Sequence, residues 1–212
     1  MNRKILIALL AGIVFLGGCI KDPVKLPQLL LTKWTYVGQG TYKYDYDSQL
    51  RLTISSYVPL KGAVSIKRYS EFNADGAAMY YDHQYVGSPA GLSQYRPEYD
   101  VLGRLTHLRT YDVDNNFVQL VTFTYLSTGI EQFNYSATGV LALRVFYFVN
   151  AAGNITSTEY FNNTGVLLQR RTFSLFDDQK SSKWLLPSLE GRELYSVNNY
   201  RAHSVYDPTT GI

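Results

Sequence analysis

The sequence predicts an all-β fold, an antiparallel meander of repeated hairpins that forms one long twisted sheet and can curl into a half-barrel. Three observations predict it: many aromatic residues, regularly spaced turn signals, and intervals between turns that are too short for helices. The 212 residues include 19 Tyr and 10 Phe, and aromatic residues are enriched in strands. Hydrophobic residues make up 46% and charged residues 17% of the chain, as in a folded globular domain.

Small clusters of Gly, Asn, Asp and Ser divide the chain into short segments from about residue 30. Gly and Asn are favoured in hairpin turns because such turns require φ > 0 at one or two positions. The turn centres of the second half are Gly103, Asn115, Gly129, Gly139, Gly153 and Gly165. Earlier turns are predicted at 37–40, 47–49, 73–76 and 101–103. The spacing leaves strands of about six to nine residues.

The same spacing indicates an internal repeat. Every second turn advances the chain by a nearly constant step, from Gly103 to Gly129 and then to Gly153. This period of about 25 residues is typical of repeat architectures. Residues 140–149 are apolar on both strand faces except for Arg144. We therefore expect this strand to be covered on both faces.

The first residues have the features of a secretory signal. Arg3 and Lys4 precede an uncharged apolar run at 5–16. A membrane-spanning helix needs roughly 20 apolar residues, so a cleaved signal fits this shorter run better. Leu16-Gly17-Gly18-Cys19 follows, and Cys19 is the single cysteine of the chain.

This tetrapeptide resembles the lipobox of bacterial lipoproteins. The resemblance implies cleavage before Cys19, acylation of its thiol with palmitate-type chains, and a membrane partner through the N-terminal lipid. Stable anchoring takes at least two acyl chains. Lys21-Asp22 resembles the surface-export signal of Bacteroidota lipoproteins, so the surface-exposed and periplasmic faces of the cell outer membrane both stay open. The predicted organisation is a signal peptide at 1–18, a lipidated cysteine and tether at 19–29, and a β domain at 30–212.

One turn carries a complete motif. Residues 99–105 read Tyr-Asp-Val-Leu-Gly-Arg-Leu, and partial copies begin at Tyr46, Phe72, Tyr125, Tyr135 and Phe161. Over about residues 30–178 the sequence resembles the YD-repeat (RHS-repeat-like) group, and more narrowly the short YD-repeat lipoproteins of Bacteroidota. We expect the aromatic residue to pack across the hairpin and Asp to cap the turn. Gly should take the left-handed conformation, and Leu should return the chain to the sheet face.

Near the end of the chain, Asn198-Asn199 leads into a predicted strand at 200–206, followed by a further repeat-like turn at Tyr206-Asp207. The chain stops at Ile212, before the strand that such a turn should introduce. We therefore expect an open edge strand at this end of the sheet, and edge strands offer unpaired backbone groups to other chains.

Candidate catalytic and metal-binding residues are sparse. Asp112 to Asn116 resembles the start of a calcium loop, but Phe117 and Phe123 stand where Gly and Glu are required, so a hairpin turn explains these residues more simply. For Asp177-Asp178 we expect a role in a turn or cap. The three histidines, at 83, 107 and 203, are far apart, and we expect them to be surface or sheet-packing residues rather than ligands. We predict no enzyme activity and no cofactor.

Charge argues against nucleic acid as a partner. The chain has 20 Lys+Arg against 17 Asp+Glu, a net charge of +3, and shows no basic patch or stripe. The sequence therefore predicts a non-catalytic, membrane-anchored lipoprotein that acts as a structural or protein-interaction module at the cell envelope, where a partner could add a strand to the open edge. The alternative is a surface glycan-binding lipoprotein that stacks sugars on exposed aromatics. Trp34 and Trp184 are its first candidate residues, so an envelope protein and a polysaccharide are the two expected partners.

Overall fold

The computed structural model describes residues 32–36, 38–87, 92–180 and 197–210, with only the backbone described for Trp34, Tyr36, Gln179 and Lys180. All of them belong to one compact unit, Leu31–Ile212. Their regular structure is entirely β. The strands are β1 (Lys33–Tyr36), β2 (Gly40–Tyr46), β3 (Leu52–Pro59), β4 (Val64–Phe72), β5 (Ala78–Val86), β6 (Leu92–Tyr99), β7 (Leu105–Tyr111), β8 (Phe117–Leu126), β9 (Gly129–Ser136), β10 (Leu141–Val149), β11 (Ile155–Asn162), β12 (Leu167–Lys180) and β13 (Asn198–Tyr206).

The 13 described strands form one antiparallel sheet in sequence order, from β1 at one edge to β13 at the other. The predicted antiparallel meander is therefore confirmed. The sheet is open and uncurled, so the half-barrel that we considered does not form. Each inner strand pairs with its two neighbours in sequence. The backbone hydrogen bonds of the central strands are therefore made without any curling of the sheet.

Most predicted turns lie between strands as expected, but two turns were missing from the prediction. One joins β3 to β4 at 60–63, and the other follows β5 from Gly87. Each has a glycine in the left-handed region, Gly62 at φ 104° and Gly87 at φ 86°. Neither contains an Asn or Asp, whose side chains cap most of the other turns.

The two faces of the sheet differ in burial. One face, called the buried face, carries Tyr44, Tyr69, Tyr81, Val121 and Val145, all of which are buried. Its rings pack against one another: Tyr81 stacks on Tyr95 with centroids 4.6 Å apart and lies 5.3 Å from Tyr69. The opposite face, called the open face, carries charged residues such as Arg68, Glu98, Arg144 and Glu159. The core of the described sheet is therefore one-sided.

The expectation that strand β10 is covered on both faces is wrong. Val145 on the buried face is 2% exposed, but Phe146 and Phe148 on the open face are only half-buried. Among the described residues no strand packs over the open face. The apolar residues of that face are therefore partly accessible to solvent.

Candidate functional site

The repeated turn has one geometry, which the turn at Asp100 shows most fully. Asp100 Oδ1 accepts hydrogen bonds from the N–H groups of Leu102 and Arg104, both at 2.9 Å. The N–H of Asp100 donates to the Arg104 carbonyl, and the N–H of Gly103 donates to the Asp100 carbonyl, both at 2.9 Å. Gly103 lies at φ 73°. The predicted roles of Asp and Gly in the motif are therefore confirmed at this turn.

The same backbone pairing recurs around the sheet. Besides Asp100, the residues that begin such a turn are Asp47, Asn73, Asp112, Ser136, Asn150 and Asn162. The residue three positions later always has a positive φ, and in two turns it is not glycine: Leu50 and Asn115, both at φ 62°. A left-handed conformation strains a leucine because its Cβ comes too close to the backbone.

The capping carboxylates have lowered pKa values. For Asp100 the largest cause is the side-chain hydrogen bond from Arg104, followed by the backbone N–H of Arg104. For Asp47 the backbone N–H of Arg51 is the largest cause of the lowered pKa. The hydrogen bonds favour the ionised form because only a carboxylate accepts all of them.

In two of the turns, the arginine of the motif connects its hairpin to the next one. The Arg104 guanidinium, held by Asp100 at 2.6 Å, lies 4.2 Å from the centroid of Tyr125 in the following hairpin. Arg51, held by Asp47 in the same way, lies 4.3 Å from the centroid of Phe72. These are cation–π distances. The Asp-Arg pair of the motif therefore stabilises the contact between hairpins as well as its own turn.

The aromatic residue connects hairpins in the opposite direction along the chain. Tyr99 pairs with Leu105 across its own hairpin, as predicted, and its hydroxyl donates to the carbonyl of Ala78 in the preceding hairpin at 2.9 Å. The Tyr125 hydroxyl donates to the Leu105 carbonyl at 2.8 Å. Leu105 itself is 2% exposed. The motif therefore holds neighbouring hairpins side by side in the sheet.

Strand β13 is the most accessible part of the described sheet. It spans nine residues, most of them exposed, and pairs with β12 from Arg170↔Tyr206 to Lys180↔Asn198. Its first residue is held by the β10–β11 turn, because the N–H of Asn198 donates to Asn154 Oδ1 at 2.7 Å. The Arg201 side chain is 73% exposed and lies 3.8 Å from Asp177. Strand β1, at the other edge, has four residues.

Several residues that we considered as chemical sites have structural roles. Asp112 caps the β7–β8 turn through the N–H groups of Asp114 and Asn116, at 3.0 and 2.8 Å, which agrees with the hairpin interpretation. The expectation of a turn or cap for Asp177-Asp178 is wrong, because both lie within the 14-residue strand β12. No cluster of three His, Cys, Asp or Glu that could bind a metal occurs among the described residues.

The histidines lie on the surface or pack on the sheet, as expected: His203 is exposed, and His83 and His107 are half-buried. His83 bonds to Ser65 Oγ at 2.8 Å and lies 4.6 Å from the Tyr85 ring, and His107 lies 3.5 Å from Glu98. His203 lies 6.0 Å from the Tyr200 ring.

The part of the chain that the structure describes contains no helix that could cross a membrane.

Most of the residues that we predicted as sites lie beyond the part of the chain that the structure describes. Cys19, Trp184 and the segments 1–18 and 19–29 lie outside the described residues. Trp34 lies on β1, where its backbone pairs with Tyr42, and its side chain is outside the description.

The fold defines the protein as an all-β meander of repeated hairpins. Neither family models nor curated protein sequences match the chain. Among solved structures, it is similar to a porin-like protein from Bacteroides uniformis ATCC 8492, with a TM-score of 0.40 and 11% sequence identity, over 88% of this chain and 100% of that chain. This TM-score is too low to relate the two proteins in structure or function.

Proposed function

We propose that this protein is a non-catalytic lipoprotein, anchored through Cys19 at the outer membrane, whose sheet is a protein-interaction module of the cell envelope. The observation that supports the interaction role is strand β13. In the described structure this nine-residue strand pairs with β12 alone, so alternate N–H and C=O groups point away from the sheet. A partner strand could pair with those groups.

Substitution with proline tests whether a partner strand pairs with the edge of β13. Neighbouring residues in an antiparallel strand point their N–H groups in opposite directions. One of the variants Ala202→Pro and His203→Pro therefore removes a bond to β12, and the other removes an outward donor. The variant that keeps the urea midpoint of the wild type identifies the outward position, since proline is tolerated on the solvent side of an edge strand.

The partner is then sought by affinity purification of the full chain from solubilised cell envelopes. We expect the wild type to recover a specific envelope protein and the fold-retaining proline variant to lose it. Repeated purifications that recover no partner, or a partner retained by both proline variants, would contradict the edge as the interaction site.

The anchor is tested separately by fractionation and by protease shaving of intact cells, with Cys19→Ala as the control. We expect the wild type to fractionate with membranes and the variant to become soluble. Membrane fractionation of both proteins would refute the lipid anchor. Shaving of the wild type while cells stay intact would place the domain outside the cell, and protection until the outer membrane is opened would place it in the periplasm.

A further inference from the structure

We propose that the open face of strands β9 to β12 is a binding platform for a neutral oligosaccharide. The site is separate from the β13 edge and goes beyond the interaction role proposed above. Its centre is strand β10, where Arg144, Phe146 and Phe148 alternate along the open face. The backbone of β10 is paired on both sides, with β9 and with β11. A ligand at this site therefore binds to side chains and not to the backbone.

The two phenylalanines at the centre form a shallow apolar surface. Their ring centroids lie 4.4 Å apart with the rings tilted by 51°, and both side chains are half-buried. Gly129 on β9 lies opposite Phe148. A Cβ atom at Gly129 would lie 2.0 Å from the Tyr147 carbonyl oxygen and 3.1 Å from Phe146 Cε1, so the backbone of β10 and the Phe146 ring both lie close to this glycine.

Two further phenylalanines widen the surface beside Arg144. The guanidinium carbon of Arg144 lies 5.9 Å from the Phe133 centroid on β9 and 5.4 Å from the Phe161 centroid on β11. From β9 to β11 the surface spans two strand spacings, about 10 Å, and from Arg144 to Phe148 it spans about 13 Å. The platform is therefore an elongated surface on the sheet face.

Charged groups border the rings on both sides. Glu131 lies opposite Phe146 on β9 and accepts hydrogen bonds from Nε and Nη2 of Arg144. Glu159 lies opposite Phe146 on β11 and accepts one hydrogen bond from Arg170 at 2.7 Å. The arginine side chains are 39% and 46% exposed. Because a guanidinium has five N–H donors, each arginine keeps donors for hydroxyl groups of a ligand.

The charge balance selects the class of ligand. Two glutamates and two arginines give the platform no net charge. A nucleic acid needs surplus cations for its phosphates, and insertion into a bilayer would desolvate four charged groups. A pyranose has apolar ring faces that stack on aromatic rings and hydroxyl groups that bond to fixed polar groups, so a neutral oligosaccharide fits this combination.

The test is affinity electrophoresis of the detergent-solubilised full chain through gels that contain dextran, laminarin, xyloglucan or galactomannan, with alginate as the anionic comparison. We expect at least one neutral polysaccharide to retard the protein and alginate not to. Phe146→Leu and Phe148→Leu keep apolar bulk but remove the rings, and each should weaken binding about tenfold. The control is Tyr85→Leu, an exposed aromatic on the other face of β5, which should bind as the wild type does.

Retardation by none of the four neutral polysaccharides would overturn the proposal, and so would equal retardation of the platform variants and the wild type. Stronger binding to alginate, or to single-stranded DNA in the same assay, would also overturn it, because the charge argument would then be wrong. Arg170→Lys, at a partly exposed position, should weaken binding without affecting folding. The β13 proline variant that keeps the fold should bind polysaccharide normally, so failure of the edge proposal and failure of this one are distinguishable.

Discussion

Leu50 and Gly103 occupy the same position in two turns of the same geometry, at φ 62° and 73°. Glycine reaches this region without strain, and leucine does not. The Leu50 side chain is also exposed, so little burial offsets the strain. The left-handed Leu50 therefore lowers the stability of the β2–β3 hairpin.

We expect Leu50→Gly to raise the free energy of unfolding by about 1 kcal/mol, because it removes the cost of a left-handed leucine. Urea denaturation of the two proteins measures this difference. The matched control is Gly103→Ala, which should lower stability by about 1 kcal/mol. A Cβ at Gly103 meets no atom within 4 Å, so its effect comes from the backbone alone. Destabilisation by Leu50→Gly would show that the leucine side chain contributes more than its conformation costs.

Asp100 predicts a pH dependence. Because its pKa is lowered in the folded state, its ionised form stabilises the fold above the unfolded pKa, near 3.9. That stabilisation is lost as the pH falls through the lower, folded pKa. Asp100→Asn keeps the Oδ1 acceptor, as Asn73 does in its own turn, but lacks the charge that holds Arg104.

We therefore expect the wild type to have a higher urea midpoint than Asp100→Asn at pH 7, with the difference shrinking as the pH falls through the lowered pKa of Asp100. Measurements at pH 7, 4 and 2 test this expectation. A difference that stays constant across this range would mean that the carboxylate charge has no role in the turn.

At the scale of the element, the hairpin is stabilised by its neighbours. Tyr99 and Tyr125 each donate a hydroxyl hydrogen bond to a backbone carbonyl of the preceding hairpin, and Arg51 and Arg104 each cover an aromatic ring of the following one. A two-stranded hairpin is marginal on its own in water. The motif supplies the contacts that a single hairpin lacks.

We expect Tyr99→Phe and Tyr125→Phe each to lower the free energy of unfolding by about 1 kcal/mol, since each removes one hydrogen bond and leaves a carbonyl acceptor without it. Tyr85→Phe, on an exposed tyrosine, should change stability by less than about 0.5 kcal/mol. Urea midpoints compare the three variants. Equal effects at all three positions would show that the inter-hairpin hydroxyl bonds contribute nothing specific.

At the scale of the whole molecule, every described strand pairs only with its neighbours in sequence. In such an array, stability is approximately a sum of unit and nearest-neighbour contributions. A destabilising substitution in one hairpin should therefore lower the stability of the adjacent strands more than that of distant ones. Leu105, buried on β7, is a suitable position for that substitution.

We expect Leu105→Ala to destabilise its region by about 2–5 kcal/mol and to raise amide hydrogen exchange in β6 to β8 far more than in β11 and β12. Hydrogen exchange with mass spectrometry measures the difference strand by strand. Leu102→Ala, at the exposed tip of the same hairpin, is the control and should leave exchange unchanged. A uniform increase across all strands would show that the sheet unfolds as one cooperative unit.

Local chemistry explains which features the sequence revealed. The aromatic residue, Asp or Asn, glycine and the aliphatic residue of each turn lie close together along the chain, so their order predicts the hairpins and the role of each residue. The turns at 60–63 and after Gly87 lack the Asn or Asp that caps most of the others, so their signal in the sequence is weaker. Alternation at Arg144, Phe146 and Phe148 was visible in the sequence, but only the pairing of β10 with β9 and β11 places Phe146 between two glutamates.

The sequence by itself therefore determined the all-β class, the antiparallel meander and the turn chemistry, because a two-strand repeat with local turns leaves little choice of pairing. Tertiary structure alone decided that the sheet stays open, that burial is one-sided and that the second apolar face of β10 is only half-buried. These properties depend on which residues meet across strands and between hairpins. Contacts such as Tyr125 to Leu105 and Arg144 to Glu131 join residues 20 and 13 positions apart, a separation at which strand periodicity does not specify a partner.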